Sequence, residues 1–392
     1  MKRILLIGIG GVYNYGCEAI VRGTVNILRS KWPNCEIVYA TPRVEDDRRR
    51  LAGCDVTIVH RRFNRYSGKN ILRKLLSYFG CRWQPCLEDL SLLKNIDAVY
   101  SIGGDIFTLS PTGSYNASLA KFGTIAERKK IPCVLWGASV GPFTANPKAE
   151  TFFKRHLSQI SQIVAREQGT VDYLASIGIS SNVTLRPDPA FFVAPEIHTN
   201  NDKPKTRPVI GINLSPLSVS YTGLSQKEAI ASQAHIIARL ITECSADIML
   251  IPHVVCSFNE GDDDLRYLQK IKKEISFPAS KHVQIIENDP GFIGIKKYII
   301  QCNFVVAARM HCAINAMATQ TPTILVAYSQ KSKGMTDFVY GNQKWLIEID
   351  DFFSRHLFFL AKEMIKNRES IYQKLKNKIA EIFCEHGMHL NQ

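Results

Sequence analysis

Residues Phe304–Ser329 read FVVAARMHCAINAMATQTPTILVAYS, and this stretch decides the fold. FVVAA is a short apolar run of the kind buried on both faces of a parallel sheet. CAINAMATQ is a helix of small residues that can press close onto a sheet, and Pro322 then opens a second apolar run. Strand, helix and strand in that order make a βαβ unit, whose strands run parallel. The first run ends, however, in Arg309 and His311, two cationic donors two residues apart. On a strand they share a face, and at the start of a helix both project from its positive end. A buried strand finished in this way implies an anion or a proton to be handled there.

The same alternation fills the chain. In the first half the apolar runs are RILLIGIG, EIVYAT, VTIVH, DAVYSIGGD, PCVLWGASVG and QIVARE. Between the first two, Ala19, Ile20, Thr24, Leu28 and Trp32 recur near a helical period and Pro33 stops the helix. Ala194–Pro208, APEIHTNNDKPKTRP, is polar, proline-bearing and without period, and is the expected linker. Strand-like runs then resume with VIGINLSP, DIMLIPHVV, VQIIEN, FVVAARMHC and PTILVAYS, separated by helices such as QKEAIASQAHIIARLITECSA. The expected fold is therefore α/β, with two Rossmann-like domains facing across a cleft: residues 1–195, residues 208–350, and an amphipathic helical segment over 351–392 carrying Phe353, Leu357, Leu360, Met364 and Ile365. Ligands of open parallel sheets bind beyond the carboxyl ends of the strands, so the polar residues there are the candidates.

A chain of 392 residues accommodates two such domains, and 45% hydrophobic residues mark it as folded. Its formal charge of +14 and pI near 9.2 concentrate anions around it. Basic residues cluster over His60–Gly80, where Arg61, Arg62, Arg65, Lys69, Arg73 and Lys74 alternate with Phe63, Tyr66, Ile71, Leu72, Leu75 and Leu76. That pattern suits either a solvated helix face or a peripheral contact with an anionic membrane surface. The basic residues form no nucleic-acid reader module, so no nucleic-acid partner is expected. The eleven cysteines lack the paired spacing of a zinc site and read as reduced core thiols of a cytoplasmic protein. The amino-terminal MKRILLIGIGG reads as a first buried strand rather than a leader, and no apolar run is long enough to span a bilayer.

The loops after the strands supply the candidate residues. GIGGVYNYGCEAI begins like a dinucleotide fingerprint, but Tyr13 stands where the third glycine belongs. What remains is a glycine turn that delivers Asn14 to the amino end of a helix, a place for anions or sugar hydroxyls. YSIGGDIFT places Gly103 and Gly104 beside Asp105, an acceptor for hydroxyl protons or a helix cap. LWGASVGPF exposes Ser139, and QIVAREQ ends a strand at Arg166, a fork for a carboxylate or phosphate unless Glu167 or Asp172 takes it. In the second half, His253 ends IPHVV, Arg309 and His311 end FVVAA, and Lys331 follows PTILVAY. No cluster of ligating residues indicates a metal.

Taken together, NYGCEAI, SIGGD, GASVGPF, VAREQ, RPDPAFF, IPHVV and ARMHCAINAMATQTPTILVAYSQKSKG resemble the polysaccharide pyruvyl transferase family over about Met1–Tyr340. The resemblance implies a GT-B-like pair of Rossmann-like domains, acceptor side first and donor side second. It implies transfer of the carboxyethylidene group of phosphoenolpyruvate onto a sugar as a cyclic ketal, in exopolysaccharide or cell-wall polymer synthesis, with no cofactor. By motif, the donor-binding arginines fall on Arg166 and Arg309 and the catalytic histidine on His311. Asp105 stands where many members carry a third glycine, and is the candidate base for the attacking hydroxyl. The expected partners are phosphoenolpyruvate and a saccharide or lipid-linked oligosaccharide, met in the cytoplasm or at the inner face of the membrane. Two other readings share these features: a GT-B glycosyltransferase using a nucleotide sugar, and a non-catalytic polysaccharide-binding assembly protein.

Overall fold

The computed structural model describes residues 1–63, 68–79, 83–110, 112–193, 207–328 and 330–385. The chain divides into two compact units, Met1–Val12 with Ile20–Pro189, and Tyr13–Ala19 with Ala190–Gln392.

In the first unit, strands β1 (Arg3–Ile7), β2 (Glu36–Thr41), β3 (Thr57–His60), β4 (Ala98–Ile102), β5 (Cys133–Ala138), β6 (Gln162–Ala165) and β7 (Val183–Leu185) form one parallel sheet in the order β3-β2-β1-β4-β5-β6-β7. The central strands are apolar on both faces: Leu5, Leu6, Ile7, Val99 and Leu135 are fully buried. The strand order reverses between β1 and β4, and in open parallel sheets ligands bind beyond the carboxyl ends of the strands at such a reversal.

The second unit repeats the plan. Strands β8 (Val209–Asn213), β9 (Asp247–Leu250), β10 (Val283–Ile285), β11 (Phe304–Ala307), β12 (Thr323–Ala327) and β13 (Leu346–Glu348) form a parallel sheet in the order β10-β9-β8-β11-β12-β13. Its reversal falls between β8 and β11, where Ala307 lies opposite Asn213. The helix Gln226–Glu243 starts at a capping box in which Ser225 and Glu228 satisfy each other's backbone amides. The FVVAA run ends as expected: β11 gives way at Arg309 to the helix Met310–Ala318, whose Cys312 to Ala318 are all buried.

Two features depart from the sequence reading. The carboxy-terminal segment is two helices, His356–Lys366 and Arg368–Cys384, broken at Asn367. Residues Tyr13–Ala19 group with the second unit instead of lying within an unbroken amino-terminal domain. Of the expected linker, residues 194–206 lie outside the described residues.

Candidate active site

The second unit assembles its polar residues at the β8/β11 reversal. Asn213 ends β8 fully buried and accepts the Arg309 backbone N–H at 2.9 Å, which fixes the chain where β11 turns into its helix. From this N-cap position the Arg309 side chain reaches two carboxylates. Its Nε and Nη2 donate to Asp264 Oδ1 at 3.2 and 2.8 Å, and Nη2 also donates to Asp262 Oδ1 at 2.7 Å. Burial works against the guanidinium charge, but the neighbouring Asp264 and Asp262 outweigh it and push its pKa upward. Asp264 is itself held by the backbone N–H groups of His253 and Val254, at 3.0 and 3.1 Å. Among the described residues the Arg309 Nη1 has no partner, so the Nε–Nη2 edge of the fork is clamped and Nη1 is not.

His311 follows two residues later, in the first turn of the helix, and is half-buried. Its ring lies against Gly16: a Cβ added there would stand 2.5 Å from both Cγ and Nδ1 of the imidazole. Only glycine leaves room for it. Gly16 is held in turn by Asn14, whose Oδ1 accepts the Gly16 N–H at 2.9 Å. The surrounding segment is pinned within the same unit. Tyr15 N–H donates to the His253 carbonyl at 3.0 Å, Tyr15 Oη to Asp289 at 2.6 Å, and Glu18 accepts the Phe292 N–H at 2.8 Å.

Behind His311 the unit buries two further titratable groups. His253 is 1% exposed, between the rings of Tyr15 and Phe292, and its pKa falls well below the usual imidazole range through burial, helped by the charges of His311, Arg309 and Lys296. It is neutral, with Asn315 Nδ2 3.5 Å from its Nε2. Lys296, in the helix Gly291–Ile299, is 1% exposed, its Nζ over the Phe292 ring at 4.6 Å and without a hydrogen-bond partner among the described residues. Burial pulls its pKa down to about 7.

The first unit builds a cluster beyond the carboxyl ends of β4, β5 and β6. Arg166, just past β6, donates from Nε to Ser139 Oγ at 3.1 Å and from Nη1 to the buried Asp188 at 2.8 Å; its Nη2 lies 3.6 Å from Asp105. Burial opposes its charge and Asp188 restores it, leaving the pKa raised. Gly103 and Gly104 follow β4. A Cβ on Gly104 would stand 2.8 Å from Arg166 Nη2, so the second glycine makes room for the guanidinium. Gly104 O also accepts the Ser139 N–H at 2.8 Å. Asp105 is exposed.

Several of the expected site residues have partners within their own unit. Arg166 pairs with Asp188 and Asp105. The Ser139 hydroxyl orients Arg166, and the Asn14 amide caps a helix. His253, expected to face a ligand, is a buried packing group because aromatic side chains enclose it. Lys331 is the second residue of the helix Gln330–Tyr340, and its side chain lies outside the described residues. The sequence reading missed Asp188, Asp262, Asp264, Asn213 and Gly16. The run EGDDD in so basic a chain was the available signal for two of them.

Two Rossmann-like units with these sheet orders define a GT-B-like α/β protein, and comparison with solved structures agrees. Anabaena HepE, determined with UDP and glucose, superimposes with a TM-score of 0.59 at 12% identity, over 97% of this chain and 94% of that one. S. aureus MnaA, determined with UDP, gives 0.57 at 12% identity, over 96% and 90%. The sequence pattern of the polysaccharide pyruvyl transferase family matches residues 14–330, and the chain belongs to that family. The amylovoran biosynthesis protein AmsJ of Erwinia amylovora is 23% identical over 304 residues, 74% of this chain and 70% of AmsJ. A function in polysaccharide modification follows from the family.

Proposed function

We propose that the chain transfers the carboxyethylidene group of phosphoenolpyruvate to two hydroxyls of one saccharide, forming a cyclic ketal and releasing phosphate. One arrangement carries this reading: Arg309, clamped on one edge by Asp262 and Asp264 with Nη1 left over, stands two residues before His311 at the amino end of a helix. The donor bears a carboxylate and a phosphate. A guanidinium edge with helix amides beside it suits either group.

In the proposed reaction, protonated His311 delivers its proton to the methylene carbon, which becomes the methyl group. A saccharide hydroxyl bonds to the central carbon as positive charge develops there, and its proton passes to a base, for which Asp105 is the candidate. The C–O bond to phosphate then breaks and a second hydroxyl closes the ring. One hydroxyl proton replaces the one His311 gave, and the other leaves with phosphate. Arg166 and Lys331 remain part of the proposal as further cations for the donor, and the scheme uses no separate cofactor. Family membership and the likeness to an amylovoran biosynthesis protein support a saccharide acceptor in exopolysaccharide or cell-wall polymer synthesis.

Incubation with phosphoenolpyruvate and a panel of glycolipid acceptors, followed by mass spectrometry and phosphate release, tests this. The expected result is a pyruvylated acceptor with the wild type and none with His311→Ala. Transfer from a nucleotide sugar with release of UDP would favour the glycosyltransferase reading. Acceptor binding with no turnover from either donor would favour a non-catalytic one.

A further inference from the structure

The helix Gly68–Tyr78 of the first unit turns its apolar side outward. Ile71, Leu72, Leu75 and Tyr78 are 53%, 47%, 53% and 87% exposed, and Phe79, just beyond the helix, is 85% exposed. These positions are i, i+1, i+4, i+7 and i+8, so they form one stripe along a single face. On the other side of the helix Asn70 is buried and accepts Arg73 Nε at 2.9 Å. A single exposed leucine is ordinary, whereas a contiguous stripe marks a surface that something covers.

The sequence around the stripe is rich in cations, one of which, Arg61, is buried in an ion pair with Glu88. From Val56 to Leu87 the sequence contains seven Lys and Arg and no Asp or Glu. Beside the helix lies a cavity of about 510 Å³ lined by Lys69, Lys121, Arg128 and Arg155 together with Trp83 and Phe152, and among the described residues no acidic side chain lines it. The Lys121 ammonium donates to the Gln84 carbonyl and lies 5.8 Å from the Phe152 ring centre. Lys69 belongs to both helix and cavity, which makes stripe and cationic cavity one continuous surface.

We propose that this surface docks the chain on an anionic lipid bilayer, with the Ile71 to Phe79 stripe among the acyl chains at the interface and the cavity around a lipid phosphate. An apolar face rimmed by Lys and Arg is the pattern of an interfacial helix, and the negative leaflet surface attracts such cations. No described helix is long and apolar enough to cross a membrane, so the contact proposed is with the surface alone. The inference is independent of the transfer chemistry.

The test is co-sedimentation of the full chain with vesicles of phosphatidylcholine alone and of equal parts phosphatidylcholine and phosphatidylglycerol. Binding is expected only to the second, weakening with salt. Leu72→Ser/Leu75→Ser/Phe79→Ser alters exposed side chains, so its thermal midpoint should hold while partitioning falls more than about ten-fold. Lys121→Gln and Arg128→Gln should each lower it about five-fold. Failure of the wild type to bind anionic vesicles, or equal binding by the stripe variant, overturns the proposal. So does a dimer in light scattering that the stripe variant dissolves without any vesicle binding, since a second copy would then cover the face.

Discussion

Replacing Gly16 by alanine tests whether the His311 ring must sit where the structure puts it. The backbone tolerates alanine, because Gly16 has none of the positive φ recorded for neighbouring Gly8 and Gly11. The obstacle is space alone. The new methyl carbon would stand 2.5 Å from Cγ and Nδ1 of His311 and 2.8 Å from its Cβ. Optimal carbon contacts lie near 3.5–4.0 Å, so the imidazole must retreat by roughly 1 Å. Fold stability should hardly change, since alanine in a helix is favoured over glycine by about 1 kcal/mol and offsets part of the crowding. A 1 Å displacement of a catalytic group costs on the order of 10²-fold in rate. The expected outcome is therefore a kcat for phosphate release from phosphoenolpyruvate about a hundredfold down, with an unchanged thermal midpoint. The ring resonances of His311 in heteronuclear NMR should shift as well, a readout independent of the acceptor. Wild-type turnover in Gly16→Ala, or unmoved His311 resonances, would refute the reasoning.

Three further outcomes follow from the same unit. Asp264→Asn removes the carboxylate that holds the buried Arg309 and two backbone amides, and should destabilise the second unit by about 3–5 kcal/mol in urea unfolding; a loss under 1 kcal/mol contradicts the described clamp. Arg309→Lys keeps the charge but loses the fork, and should raise KM for phosphoenolpyruvate about ten-fold or more, whereas an unaltered KM would remove Arg309 from donor binding. Lys296 has its pKa pulled down to about 7 from 10.5, so between those values the unfolded chain binds more protons than the folded one and stability should rise with pH. Urea midpoints measured from pH 7 to pH 10 should show this rise in the wild type and less of it in Lys296→Met; identical slopes would mean that burial does not depress the lysine.

Much of the fold could be read from the chain because most of its strands are buried on both faces and apolar throughout, and eleven apolar runs became β1 to β6 and β8 to β12. Strands β7 and β13 escaped because VTL and LIE leave too little apolar signal, whereas β10, equally short and also at the end of its sheet, continues into Ile286 as the run VQII. The helix break at Asn367 carries neither proline nor glycine to announce it. Arg309 and His311 were visible because cations at the end of an apolar run conflict with their surroundings. Their partners were less so. EGDDD shows several acids, but which of them turns inward depends on tertiary packing between residues 45 apart in the chain. The burial of His253 likewise depends on Tyr15 and Phe292, which no local pattern ties to it.

The grouping of Tyr13–Ala19 with the second unit bears on the order of synthesis. Tyr15 to Asp289 and Glu18 to Phe292 are hydrogen bonds that each span 274 residues. The wall that Gly16 sets against the His311 ring thus leaves the ribosome well before the partners that hold it, a long-range closure that slows folding. A carboxy-terminal half made alone would lack that wall, and supplying residues 13–19 in trans as a peptide should restore it.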